Sequence, residues 1–209
     1  MKSWLPVLVL ALLAGCATAP KAPVALGHHP VLIVLDLQQD YFGPEAKMPV
    51  ASAQTAGVLV TCKALVRAFK AAGRPIVYLQ NEFSATDWIA NWFRHGATVE
   101  GTPGTQWIGP TEAPDLWQAK RQADAFTEPA VDDYLRSIGA DSVVIAGVFA
   151  DPMACVPSTA AGARRRGYGV TIPYDAVGTS TDAGLDSALG SLVGAGYRVI
   201  PSGVILEEL

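Results

Sequence analysis

Three side chains of complementary chemistry stand where short apolar runs stop. Asp36 ends the run Val31 to Leu35, Lys120 follows the segment Leu116 to Ala119, and Cys155 comes soon after the run Val143 to Ala146. A thiol can attack a carbonyl carbon, a carboxylate can take the thiol proton and pass it to a leaving group, and an ammonium can hold both in reactive charge states. Singly, each has an ordinary reading as a buried structural thiol, a turn or cap aspartate, or a surface lysine. As an ordered set at strand ends they point to acyl transfer through a cysteine nucleophile. A thiol at a helix start also feels the positive end of the helix dipole. With a lysine nearby, Cys155 is expected to be a low-pKa thiolate that iodoacetamide labels near about pH 6 to 7.

The elements that position these residues follow from alternating runs. Short β-branched stretches alternate with longer helical patterns, which predicts βαβ units and helices on both faces of a parallel sheet. Strands are expected at 31–35, 76–79, 116–119, 143–146, 168–172 and 197–200, with helices through 54–72, 128–138, 154–166 and 181–193. In the first helix Val58, Cys62, Leu65, Val66 and Phe69 share one face, so Cys62 reads as an inert core thiol. Arg164, Arg165 and Arg166 close the third helix, where cations complement the dipole. The expected fold class is α/β, a Rossmann-like three-layer sandwich around a mainly parallel six-stranded sheet. In such a sheet, ligands bind beyond the carboxyl ends of the strands.

Four segments resemble the isochorismatase-like cysteine hydrolases, the superfamily that includes nicotinamidase and N-carbamoylsarcosine amidase. They are Asp36-Leu37-Gln38-Gln39-Asp40-Tyr41, Lys120 to Phe126, Cys155-Val156-Pro157-Ser158-Thr159-Ala160 and Asp175-Ala176. The resemblance spans nearly all of residues 30 to 201 and implies a strand order of 3-2-1-4-5-6. It makes Cys155 the nucleophile, Asp36 the general base and then acid, and Lys120 the cation that supports them. It also implies an oxyanion site from the backbone N–H groups of Phe149 and Cys155, after a cis peptide between Val148 and Phe149. Between Gly147 and Cys155 the chain runs two residues longer than the family pattern, with Pro152 in the added part. Isochorismatase itself cleaves a vinyl ether without the cysteine, so Cys155 argues against that reaction. Asp40 is expected to order its loop rather than touch substrate.

Relatives of the nicotinamidase type carry an Asp/His/His metal cluster after the second strand. This chain reads Gln80-Asn81-Glu82-Phe83 there, and its three histidines are His28, His29 and His95. No metal and no cofactor are therefore expected. Asn81, Trp88, Trp92 and Trp107 are candidate substrate-pocket residues, because four of the five tryptophans fall between residues 88 and 117. Packing of an irregular insert explains the same tryptophans, and Trp88 with Trp92 at i, i+4 marks one face of a short helix.

The first fifteen residues read as an address. Met1-Lys2 precedes an apolar run from Leu5 to Leu13, too short to span a bilayer, and Leu13-Ala14-Gly15-Cys16 resembles a bacterial lipoprotein box. Residues 1–15 are then a lipoprotein signal peptide, 16–28 a lipidated N-terminus and tether, and 29–209 the hydrolase domain. Ala17 beside Cys16 implies the outer membrane, with the domain facing the periplasm. With 19 acidic against 15 basic residues the net charge is -4, which offers no basic face for nucleic acid. The partners expected are a small-molecule substrate and the membrane, through the lipid on Cys16, with self-association left open. The expected function is metal-independent hydrolysis of a C–N bond in a small amide, ureido or carbamoyl compound through a thioester. A non-catalytic envelope protein on a hydrolase scaffold is the alternative.

Overall fold

The computed structural model describes residues 25–209. The chain runs β1 (Pro30–Leu35), α1 (Gln39–Phe42), α2 (Ser52–Ala71), β2 (Ile76–Asn81), α3 (Trp88–Phe93), β3 (Leu116–Lys120), α4 (Pro129–Ser137), β4 (Ser142–Val148), α5 (Cys155–Arg165), β5 (Gly169–Pro173), β6 (Val177–Gly178), α6 (Gly184–Gly194), β7 (Arg198–Ile200) and α7 (Ser202–Glu208). The strands form one sheet ordered β3-β2-β1-β4-β5-β7, with every pair parallel. This is the expected order, since β7 is the sixth of the predicted strands. The addition is β6, a two-residue strand that extends the far end of β4. It and α7 are too short to show a period in the sequence.

The layers follow from alternation. All six residues of β1 are buried, and successive side chains point to opposite faces. Val31, Ile33 and Leu35 join the core under α4, α5 and α6. Leu32 and Val34 join the core under α2 and α7, which includes Val58, Cys62, Leu65, Val66, Phe69 and Ile205. Between the two central strands, Gly147 has φ 108°, and a Cβ there would meet the Leu35 carbonyl oxygen at 2.1 Å. Only glycine lets β1 and β4 approach this closely at their carboxyl ends.

Three of the sequence motifs serve as joints. Thr159 Oγ1 accepts from Ala125 N at 3.2 Å and approaches Ala123 O at 3.3 Å, locking α5 to the loop after β3. Asp124 pairs with Arg165 at 2.7 Å across the same seam, and Arg166 Nη2 donates to Phe126 O. The arginine run therefore clamps a loop besides closing α5. Asp175 accepts from the backbone N–H and the hydroxyl of Ser202, at 2.8 and 2.6 Å, and so pins the start of α7. At the other end, N–H groups of Leu26, Gly27, His28 and His29 are bonded to Glu208, Ser142 and Asp141. Among the described residues the chain is thus already bonded to the body at Leu26, before the boundary after residue 28 that composition suggested.

Candidate active site

Four side chains converge where β1, β2 and β3 end and α5 begins. Asp36 follows β1 with φ 60°, a left-handed conformation that is uncommon outside glycine, and is fully buried. Asn81 is the last residue of β2, Lys120 the last of β3 and Cys155 the first of α5. Lys120 is completely buried, and its ammonium reaches three side chains. They are Asp36 Oδ2 at 2.9 Å, Asn81 Oδ1 at 2.6 Å and Cys155 Sγ at 3.2 Å. The Gln122 carbonyl oxygen lies 3.4 Å from the same nitrogen.

Asn81 is itself held from two sides. Its backbone N–H donates to Gln38 Oε1 at 2.8 Å, and Gln38 Nε2 donates back to Asn81 O at 2.9 Å. Its Nδ2 donates to the Tyr41 hydroxyl at 2.9 Å and lies 3.8 Å from Cys155 Sγ. Because the Tyr41 oxygen accepts there, its proton is free to go to Thr98 Oγ1, 3.1 Å away. Asp40 closes the circuit by accepting from Thr98 N at 2.7 Å, so it orders the loop, as expected. Gly104 makes room for that carboxylate, since a Cβ there would overlap Asp40 Oδ2 at 1.7 Å.

Charge is finely opposed in this cluster. Burial pushes the Asp36 carboxyl above its ordinary value, although Lys120 pulls it back. Burial works against the Lys120 cation, but Asp36 and Cys155 outweigh it and hold Lys120 above its ordinary value. The Cys155 thiol is pushed up to about 11 by burial and by the Asp36 charge, against the pull of Lys120. The expected resting thiolate is thereby corrected. The sequence placed a helix N-terminus, a cation and the Asp36 carboxylate near the sulfur, but not the desolvation that holds the thiol protonated. Neither Asp36 oxygen has an aligned hydrogen-bond donor, so its contact with Lys120 is ionic and Oδ1 is left unpartnered. A buried carboxylate coupled to a protonated thiol is placed to take that thiol's proton.

The loop before Cys155 bends outward at Met153. The Val148–Phe149 peptide is cis, Phe149 O accepts from Val156 N at 3.0 Å, and Phe149 packs edge-on against Tyr41 with ring centroids 5.1 Å apart. Met153 takes φ 62° and is 87% exposed, while Asp151 ties the bend to Ser180 through the backbone N–H and the hydroxyl. The Cys155 N–H stands in the first turn of α5, where no intrahelical acceptor exists.

The structure separates the four candidate pocket residues. Asn81 lies in the cluster, 2.6 Å from Lys120 Nζ. Trp107 does not line it: its ring stacks on Tyr78 at 4.7 Å, on the α2 side of the sheet, and its N–H goes to Pro110 O. Trp88 and Trp92 stand exposed on α3, outside any buried pocket. Sequence reasoning passed over Gln38, Tyr41 and Thr98. The first two sit inside the Asp36 to Tyr41 segment that carried the resemblance, whereas Thr98 lies in an irregular stretch without a periodic signal.

A metal does not fit this centre. Among the described residues no three His, Cys, Asp or Glu side chains gather as ligands, and the cation against Asp36 and Cys155 is already an ammonium. After β2, Asn81 turns its amide to Lys120 and Tyr41, and Gln80 donates to Glu82.

Fold and site together define an α/β domain of the hydrolase class with a cysteine at its centre. Residues 30–202 match the isochorismatase domain, and the chain belongs to the isochorismatase family. Streptothricin hydrolase of Streptomyces noursei is 30% identical over 171 residues, covering 79% of this chain. This chain spans only 61% of that relative's length. N-carbamoylsarcosine amidase from Thermoplasma acidophilum superposes with a TM-score of 0.69 at 25% identity, over 83% of this chain and 96% of its own. Pyrazinamidase of Pyrococcus horikoshii, solved with zinc, superposes with a TM-score of 0.73 at 24% identity, over 83% and 99%.

Proposed function

We propose that the chain is a metal-independent cysteine hydrolase that cleaves the C–N bond of a small amide, ureido or carbamoyl compound through a thioester. The observation that carries this reading is one ammonium, Lys120, in contact with both the Asp36 carboxylate and the Cys155 sulfur. Asp36 takes the thiol proton as sulfur bonds to the carbonyl carbon, and Lys120 holds the charge that passes between them. The tetrahedral oxyanion is met by the N–H groups of Cys155 and Phe149. Asp36 then protonates the leaving nitrogen, the C–N bond breaks, and an acyl thioester and a free amine result. Water adds to the thioester with its proton going to Asp36, and collapse returns the thiol and releases the acid.

The amidase and hydrolase names of the relatives support the bond class. The sequence of residues 1–16, which lies outside the described residues, supports an acylated Cys16 and an outer-membrane site facing the periplasm.

A panel of small amides, ureides and carbamoyl compounds, quenched in acid and read by mass spectrometry, tests the reaction. The expected result is an acyl adduct on Cys155, turnover that survives EDTA, and none in Cys155→Ala or Asp36→Asn. An adduct on Cys62, or loss under chelation with recovery by zinc, would sink the proposal.

A further inference from the structure

Helix α3 is built inside out. Trp88, Ile89, Trp92 and Phe93 fall at i, i+1, i+4 and i+5, an arc of about 140° at the 100° step of an α-helix. That apolar arc faces outward, with exposures of 74, 54, 73 and 70%, while Ala90 and Asn91 face the body and Asn91 Nδ2 donates to Ser84 O. No residue of α3 is buried and none is charged. The neighbouring cation, Arg94, folds back over the Phe83 ring at 3.6 Å. A contiguous exposed aromatic face of this kind marks a contact surface.

We propose that this face docks on a lipid bilayer at headgroup level. Rings of this kind concentrate at membrane interfaces, because tryptophan combines a large apolar body with one polar N–H. The inference rests on the reading of Cys16 as an acylated anchor, and the chain length between anchor and body allows it. Leu26 is bonded to the body, it stands ten positions after Cys16 in the sequence, and ten residues can span at most about 33 Å. Leu26 lies at the amino end of β1, whereas α3 follows the carboxyl end of β2. The six residues of β1 separate those ends by about 20 Å. The tether is thus long enough to let α3 reach the same leaflet that holds the acyl chains. Docking there turns the carboxyl ends of the strands, and with them Cys155, toward the membrane, so the substrates are compounds met at the lipid surface. Acylation gives permanent attachment, and the aromatic face sets orientation.

The test uses the mature acylated protein in phosphatidylcholine vesicles whose acyl chains carry bromine, which quenches indole emission only on contact. Once residues 1–15 are removed, four of the five tryptophans remain, and two of these are on α3. About half of the emission should therefore be quenched in the wild type, and the contact quenching should vanish in a folded Trp88→Ser/Trp92→Ser variant that stays vesicle-bound. Anchored wild-type protein without quenching overturns the proposal. So does a concentration-dependent oligomer that the double substitution dissolves, because a second copy would then cover the face. Cys16→Ser separates the two readings. If wild type and Cys16→Ser bind the vesicles equally, the anchor is absent, and quenching of the unacylated chain alone then decides the aromatic face: its presence supports docking and its absence overturns it.

Discussion

At the scale of single residues, the proposed attack by Cys155 starts from a protonated thiol, which makes Asp36 indispensable as its base. Turnover should require ionised Asp36, so kcat/KM is expected to fall as pH drops through a carboxyl value raised above that of an ordinary aspartate. Cys155 alkylation by iodoacetamide should climb toward a thiol value of about 11 rather than level off near neutrality. Asp36→Asn removes the negative charge that holds the thiol up. It should therefore speed alkylation at pH 8 while abolishing turnover, two opposite changes that one rate titration and one assay can read. A slower alkylation in that variant would contradict the charge balance. Cys62, fully buried and pushed up to about 12 by burial and by Asp175, should stay unlabelled until the protein unfolds.

Tyr41 and Asn81 belong to the same scale as positioning residues. Tyr41→Phe removes the acceptor of Asn81 Nδ2, and one lost hydrogen bond of about 1 to 1.5 kcal/mol corresponds to a roughly tenfold lower kcat with little change in KM. Asn81→Asp adds a carboxylate against Lys120 and should raise the thiol further, displacing the alkylation curve to higher pH. An alkylation profile identical to that of the wild type would remove Asn81 from the charge network.

Elements matter here through their seams. Thr159 joins α5, which starts with Cys155, to the loop that follows Lys120. Thr159→Val keeps shape but leaves the buried Ala125 N–H without its acceptor, for a loss of about 1 to 3 kcal/mol in a denaturant titration. Gly147→Ala should cost more, about 3 kcal/mol, because the added Cβ meets backbone and the residue keeps φ 108°. A Gly147→Ala protein as stable as the wild type would show that β1 and β4 can separate without loss.

For the whole molecule, the sheet gathers residues far apart in sequence at one end, and the proposed acylation of Cys16 would decide where that end works. Cys16→Ser should release the protein from the membrane or strand it as an uncleaved precursor, and abolish acyl labelling in the same cells. Wild-type protein held in the membrane without an acyl label would refute acylation at Cys16.

Much of this was legible in one dimension. Apolar runs such as 31–35 and 143–146 marked the central strands, because a strand covered on both faces favours unbroken apolar residues, and strand ends then located Asp36, Lys120 and Cys155. The face of α2 likewise assigned Cys62 to the core, where it lies. Other features depend on what meets across the sheet. The protonation state of Cys155 is set by burial and by Asp36, a residue distant in sequence. Trp107 packs on Tyr78 while Trp88 and Trp92 face outward, although all three sit in one tryptophan-rich stretch. A local pattern reports propensity and periodicity, whereas desolvation, charge pairing and the direction of an irregular segment arise only when separate parts of the chain come together.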